Sequence, residues 1–270
     1  MRFTVVGATG FIGGALVVKL RALGFEVLTP PREADRLPLV PGHVIYAAGV
    51  TADFRQRPFD TLSANTTYAA RILGQSDFDS FLYLSSTRIY RHAERGIESA
   101  AIPVHSDDPE QLYDLTKLTS EAICHASGRH GVRIVRLSNV VGDDFRSQNF
   151  VSELIRSACD NGRIELRSSL DSSKDYIRLE DVVDLLPKIV LSGQHSCYNV
   201  ASGRNISHRE LLEPIVAASG ATLIVCEGAP RTISPVIDID RLRVEFAFEP
   251  TPVLPTVAVL VNEYRKQTTC

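Results

Sequence analysis

Apolar residues follow two rhythms along this chain. Short runs at 3–6, 44–47, 81–84 and 132–137, rich in valine, isoleucine and aromatic residues, predict strands buried on both faces. Between them the apolar positions recur at helical spacing, as in Leu16, Val17, Leu20 and Leu23, and again over 64–73 and 113–129. A shorter strand is predicted at 26–29, followed by Pro30-Pro31-Arg32. Strand and helix patterns in alternation predict an α/β protein with a Rossmann-type, doubly wound parallel sheet.

The rhythm changes near Asn139. Loops at 142–148 and 167–175 separate shorter elements: helices near 150–161, 181–191 and 209–219, and strands near 197–200 and 222–225. Pro250, Pro252 and Pro255 introduce a last helix ending near Tyr264, and residues 91–111 read as loop. The expected organisation is a dinucleotide-binding domain over 1–140, rejoined by a strand at 195–201. A smaller substrate-binding α/β portion over 141–270 closes a cleft against it.

Composition narrows the function classes. The 270 residues are 44% apolar and 23% charged with a net charge of −3, an ordinary globular balance that argues against nucleic-acid binding. No apolar stretch reaches the roughly 20 residues a membrane span needs, and the N-terminus runs straight into a strand. Five scattered cysteines, none in C-x-x-C spacing, suit free thiols in a cytoplasmic protein and argue against a metal site.

Two stretches carry candidate chemistry. The first strand breaks into Gly7, Gly10 and Gly13, spaced three apart, and a helix follows. Gly7 permits a sharp turn, Gly10 a close approach to a pyrophosphate, and Gly13 close packing of helix on strand. The helix start then offers N–H groups to an anion. In Tyr113-Asp-Leu-Thr-Lys117, the spacing of four puts phenol and amine on one helix face. An ammonium there would lower the tyrosine pKa towards neutrality for acid–base work. Leu84-Ser85-Ser86-Thr87, at the end of a predicted strand, places hydroxyls where open α/β sheets keep their active sites.

Taken in order, these residues make the chain resemble the extended short-chain dehydrogenase/reductase family, in its epimerase/dehydratase branch of nucleotide-sugar enzymes. Gly7-Ala-Thr-Gly10-Phe-Ile-Gly13 is similar to its opening motif, and Ile45-Tyr46-Ala47-Ala48-Gly49 to the strand lining the cofactor. Further matches are Asn65, Leu84-Ser-Ser86-Thr-Arg-Ile-Tyr90, Arg136-Leu-Ser-Asn139-Val-Val-Gly142, Lys174-Asp-Tyr176-Ile-Arg178 and Tyr198-Asn-Val-Ala-Ser-Gly203. The resemblance implies Ser86, Tyr113 and Lys117 as catalytic residues. It implies a cofactor held by Gly7, Thr9, Gly10, Phe11, Ile12, Gly13, Arg32, Ala47, Ala48, Gly49, Asn65, Leu137 and the tyrosine–lysine pair. Substrate contacts are expected from Ser86, Thr87, Asn139, Asn149 and Arg178, and a homodimer by analogy.

Departures from the family pattern refine this. Dehydratases carry Asp-Glu after the catalytic hydroxyl, where this chain has Thr87-Arg88. The second strand ends in Pro30-Pro31-Arg32, with no carboxylate before Glu33, which favours NADP over NAD. The expected activity is reduction of a 4-keto-6-deoxy nucleotide sugar. A 4-epimerase with bound NAD and a non-catalytic NADP sensor are the alternatives.

Overall fold

The computed structural model describes residues 1–268 apart from 33 and 35, so Glu33 lies outside the described residues. The strands β1 (Arg2–Val6), β2 (Glu26–Leu28), β3 (His43–Tyr46), β4 (Ser80–Ser86) and β5 (Val132–Leu137) belong to one parallel sheet. Between β5 and the sheet's last strand the chain forms β6 (Asn139–Val141), β7 (Arg163–Leu166) and β8 (Ser173–Arg178). It then returns as β9 (Cys197–Val200), which pairs with β5 and gives the order β2-β1-β3-β4-β5-β9.

The inner strands are largely apolar on both sides because both sides are covered. Phe3, Val5, Ile45, Leu82, Leu84 and Val135 point to one core; Val6, Val44, Tyr46, Phe81, Tyr83 and Ile134 point to the other. That alternation follows from the two-residue period of an extended chain. The first core is closed by α1 (Phe11–Ala22) through Leu16, Val17 and Leu20, with α6 (Leu179–Ser192) beside it. The second is closed by α3 (Tyr68–Gln75) and α4 (Leu112–Ala126). A short α2 (Pro58–Leu62) enters α3 through a wide π-type turn, Ser63–Thr67.

The chain runs from β1 outward to β2, then back across β1 to β3. Strand order therefore reverses between β1 and β3, and a crevice opens at their carboxyl ends. Register fixes what stands there. Val6 pairs with Tyr46, the Ala47 amide donates to the Val6 carbonyl at 2.8 Å, and Ser86 pairs with Leu137.

The C-terminal part has its own core, formed by α5 (Phe150–Asn161), α7 (His208–Ser219) and α9 (Val253–Thr268). Beside it β10 (Asn205–Ser207) and β6 flank β8, and β11 (Thr222–Val225) pairs with β7. A short α8 (Asp240–Phe246) leans on β9. Several details differ from the sequence expectation, the short α2, β6 and β10 among them. The stretch 167–175, expected as loop, feeds into β8, and β7 and α8 were not anticipated.

Candidate active site

Gly7, at φ +90°, turns the chain out of β1, and a Cβ there would meet the Ala48 amide nitrogen at 2.6 Å. Gly13 seats α1 against that turn: a Cβ would stand 2.8 Å from the Gly7 carbonyl carbon. The helix begins at Phe11 with Gly10 as its N-cap, with no side-chain cap and no acid in the first turn. Its first N–H groups thus lie on the wall of a cavity of about 1320 Å³, available to an anion.

The same cavity is lined by Ser86, Tyr113 and Lys117. Tyr113 and Lys117 lie one turn apart near the start of α4, and both are buried. The Lys117 amine donates to the Leu84 carbonyl at 2.9 Å and sits 5.7 Å from the centre of the Tyr113 ring. Phe54 also packs against that ring, tilted, with centroids 5.8 Å apart.

The expected lowering of the Tyr113 pKa is corrected by this geometry. Burial pushes the phenol up to about 12, with the Ser86 hydroxyl and the Arg88 charge pulling the other way. Lys117 is itself brought down to about 8 by burial, opposed by Glu121. The phenol is therefore protonated at neutral pH and stands as a proton donor.

Arg88 is the residue whose place the sequence left open. Its backbone N–H donates to Ser86 Oγ at 3.2 Å, while its side chain donates from Nε to Asp114 at 3.1 Å and from Nη2 to the Glu110 carbonyl at 3.0 Å. The guanidinium carbon lies 5.8 Å from the Tyr113 ring centre. Asp114, buried between Arg88 and Arg91, is pushed up by burial and held back by both cations.

Further lining residues come from the C-terminal part. Lys174 lines the cavity with its amine 5.4 Å from the Phe150 ring centre, and burial lowers its pKa. His208, behind the capping Ser207 of α7, shares a hydrogen between Nδ1 and Ser168 Oγ at 2.9 Å and is brought down to about 4 by burial. Sequence reasoning missed His208, and nothing in its neighbours signals a cavity wall.

Most expected residues meet at this cavity: Gly7, Thr9, Gly10, Phe11, Ile12, Arg32, Ala47, Ala48, Gly49, Thr87, Leu137, Asn139 and Asn149 all line it. Asn139 is steadied by donating to the Asp175 carbonyl at 2.7 Å, and Asn149 caps α5 by accepting the Ser152 N–H at 2.9 Å. Three expected residues stand elsewhere. Asn65 is fully buried, accepting from the Val50 amide and donating to Thr116 Oγ1, each at 3.0 Å, so it braces the wall rather than lining it. Gly13 lies behind Gly7 because its role is helix-on-strand packing. Arg178 ends β8 outside the cavity lining, paired with Glu180 at 3.1 Å.

Residues 3–201 match the NAD dependent epimerase/dehydratase family. The chain belongs to that family. Within reach of it, the chain is 26% identical to a dTDP-6-deoxy-L-talose 4-dehydrogenase (NAD(P)(+)) of Kitasatospora kifunensis, with 91% of this chain and 88% of that protein covered. It is 22% identical to a dTDP-glucose 4,6-dehydratase of Streptomyces griseus, covering 97% of this chain and 93% of the other. The solved structure of MoeE5 with UDP-glucose and NAD superposes with a TM-score of 0.83 at 21% identity, covering 99% and 100% of the two chains, and so shares the fold. The family's dinucleotide fits the residues present, since an uncapped helix start and a turn that admits no side chain form one wall of the cavity. Among the described residues no helix is long and apolar enough to cross a membrane.

Proposed function

We propose that the protein is an NADPH-dependent reductase of a 4-keto-6-deoxy nucleotide sugar, working in the cytoplasm as a homodimer. The observation that carries this reading is the grouping of Ser86, Tyr113 and Lys117 in one cavity with the uncapped start of α1. When bound, the dinucleotide supplies the hydride that reduces C4.

The chain's own residues supply the rest. Tyr113, protonated at neutral pH, gives its proton to the C4 oxygen, which suits reduction. Ser86 orients that oxygen; its Oγ accepts the Arg88 amide hydrogen, and its hydroxyl is hydrogen-bonded to Tyr113, which keeps the two hydroxyls side by side at the reacting position. Lys117 holds the nicotinamide ribose. Lys174, Asn139 and Asn149 take the nucleotide side of the substrate, and Thr87 the sugar. Arg178, outside the cavity lining and paired with Glu180, is left out of this assignment.

Arg32 supports NADPH because it lines the cavity beyond β2, where Arg21 of α1 also reaches the wall. A guanidinium pair suits a 2′-phosphate. Thr87 and Arg88 in place of an acid pair weigh against a dehydratase, and the name of the K. kifunensis relative, a 4-dehydrogenase, agrees with chemistry at C4.

The test is a screen of dTDP-, UDP-, GDP- and CDP-linked 4-keto sugars for oxidation of NADPH. Net oxidation with one of them is expected. Tightly held NAD with interconversion of 4-hydroxy sugars and no net NADPH use would replace the reductase with an epimerase. Dinucleotide binding with no turnover of any sugar would leave a sensor.

A further inference from the structure

One buried ionisable cluster takes no part in the chemistry above. Glu121 follows Lys117 by four positions on α4, so Tyr113, Lys117 and Glu121 stack on one face at one-turn intervals. All three are buried, at 6%, 4% and 3% exposure. The Glu121 carboxylate is pinned: it accepts from Ser85 Oγ at 2.5 Å and from Arg136 Nη2 at 2.6 Å, with Arg136 Nε at 3.1 and 3.2 Å from its two oxygens. Arg136 is fixed in turn by donating to the Tyr90 hydroxyl at 2.5 Å and the Glu98 carbonyl at 3.2 Å.

Neither Glu121 nor Arg136 lines the cavity, yet each adjoins it. Ser85 precedes Ser86, Arg136 precedes Leu137, and Lys117 stands one turn above Glu121. A buried ion pair contributes little net stability compared with apolar residues of the same size. Stability alone therefore gives a weak reason for this one.

The groups around the Lys117 amine show what it can do. From β4 come the Leu84 carbonyl at 2.9 Å and the Tyr83 ring at 5.0 Å; from α4 come the Tyr113 ring at 5.7 Å and, a turn below, Glu121, which is itself paired with Arg136 of β5. Burial works against the ammonium, and the charge opposing burial is that of Glu121.

We infer that Glu121 is a positioning residue for the dinucleotide site: clamped by Arg136 and Ser85, its carboxylate keeps the Lys117 amine protonated where it faces the cavity. The consequence for dinucleotide binding rests on the function proposed above. The effect on Lys117 does not.

The chain has five lysines, so a protein labelled with ¹³C at the lysine ε-carbon gives few signals, and Lys117→Met identifies the one required. Glu121→Gln should move the Lys117 titration midpoint down by on the order of one pH unit, and Glu121→Asp should restore most of it. Glu121→Gln leaves Arg136 uncompensated, so the double variant Glu121→Gln/Arg136→Met is measured beside it and should show the same direction of shift. An unmoved midpoint in folded Glu121→Gln or in the folded double variant overturns the inference and leaves the pair a packing feature. NADPH fluorescence titrations across the same pH range give the second readout. Affinity should fall through the Lys117 midpoint, at a lower pH in the variants than in the parent. A lysine shift with no NADPH binding in any protein would sink the proposed function and spare the role of Glu121. NADPH binding whose pH limb ignores a shifted lysine would overturn the dinucleotide part of the inference.

Discussion

Adding one methyl group at Gly13 or at Gly10 separates two jobs that the glycine turn performs. At Gly13 the new carbon would stand 2.8 Å from the Gly7 carbonyl carbon and 3.3 Å from Ala8 Cα, both backbone atoms that yield only if α1 moves off β1. Overpacking of this kind costs about 1–3 kcal/mol, or roughly 2–10 °C in Tm for a chain of this length. At Gly10 the nearest atom is the Gly7 carbonyl oxygen at 3.4 Å, an ordinary contact, and φ is −82°, which alanine adopts freely. Losing glycine at this N-cap costs under about 1 kcal/mol. The methyl there instead occupies the approach to the helix start, so dinucleotide affinity should drop about tenfold or more. Thermal melts and NADPH fluorescence titrations on both variants read the two effects. Gly13→Ala should lose Tm and affinity together; Gly10→Ala should lose affinity with Tm nearly unchanged. A Gly13→Ala protein that melts with the parent, or a Gly10→Ala protein that binds NADPH like the parent, would refute the reasoning.

Other expectations follow from the site. Tyr113→Phe removes the proton donor and should cut turnover by about 10²–10⁴-fold while NADPH affinity stays within a few-fold; equal loss of both in titration and steady-state assays counts against the assignment. Arg32→Ser should weaken NADPH binding by roughly ten- to a hundredfold, the worth of a hydrogen bond to a charged group, and leave NADH binding unchanged; a parallel loss for both nucleotides removes Arg32 from the 2′-phosphate. His208 has a folded pKa of about 4 against an ordinary 6.5, so between those values the unfolded chain binds more protons and stability falls as pH falls. Chemical denaturation should show His208→Gln spared about 2–3 kcal/mol of that acid loss; identical pH profiles for variant and parent would remove His208 as its source.

Much of the cofactor half was legible because its signals are local. The β1–α1 turn is contiguous, and strands covered on both faces must be apolar throughout, so Phe3–Val6 and Phe81–Leu84 betray themselves. Tyr113 and Lys117 are one turn apart on one helix, and spacing alone puts them together. What stayed hidden depends on distant partners. Asn65 sits on a helix facing α4, and only the fold shows its amide spent on Val50 and Thr116. Tyr113 is buried by Phe54 and Arg88, one from the loop beyond β3 and one beyond β4, so its high pKa has no counterpart in the Tyr-x-x-x-Lys spacing. Strand β8 begins Ser-Lys-Asp because Lys174 faces the cavity and Asp175 accepts the Ser202 and Arg204 amides at 2.9 and 3.1 Å. Polar residues with work inside the fold look like loop.

Hydride transfer is the direct trial of the whole account. NADPH carrying deuterium on the transferred position of its nicotinamide C4 would be incubated with the parent protein and a 4-keto-6-deoxy nucleotide sugar, and the product sugar analysed by NMR and mass spectrometry. The prediction is one deuterium at sugar C4 with the parent protein and almost no product with Tyr113→Phe. Product lacking deuterium at C4, or full labelled turnover by the Tyr113→Phe protein, would contradict it.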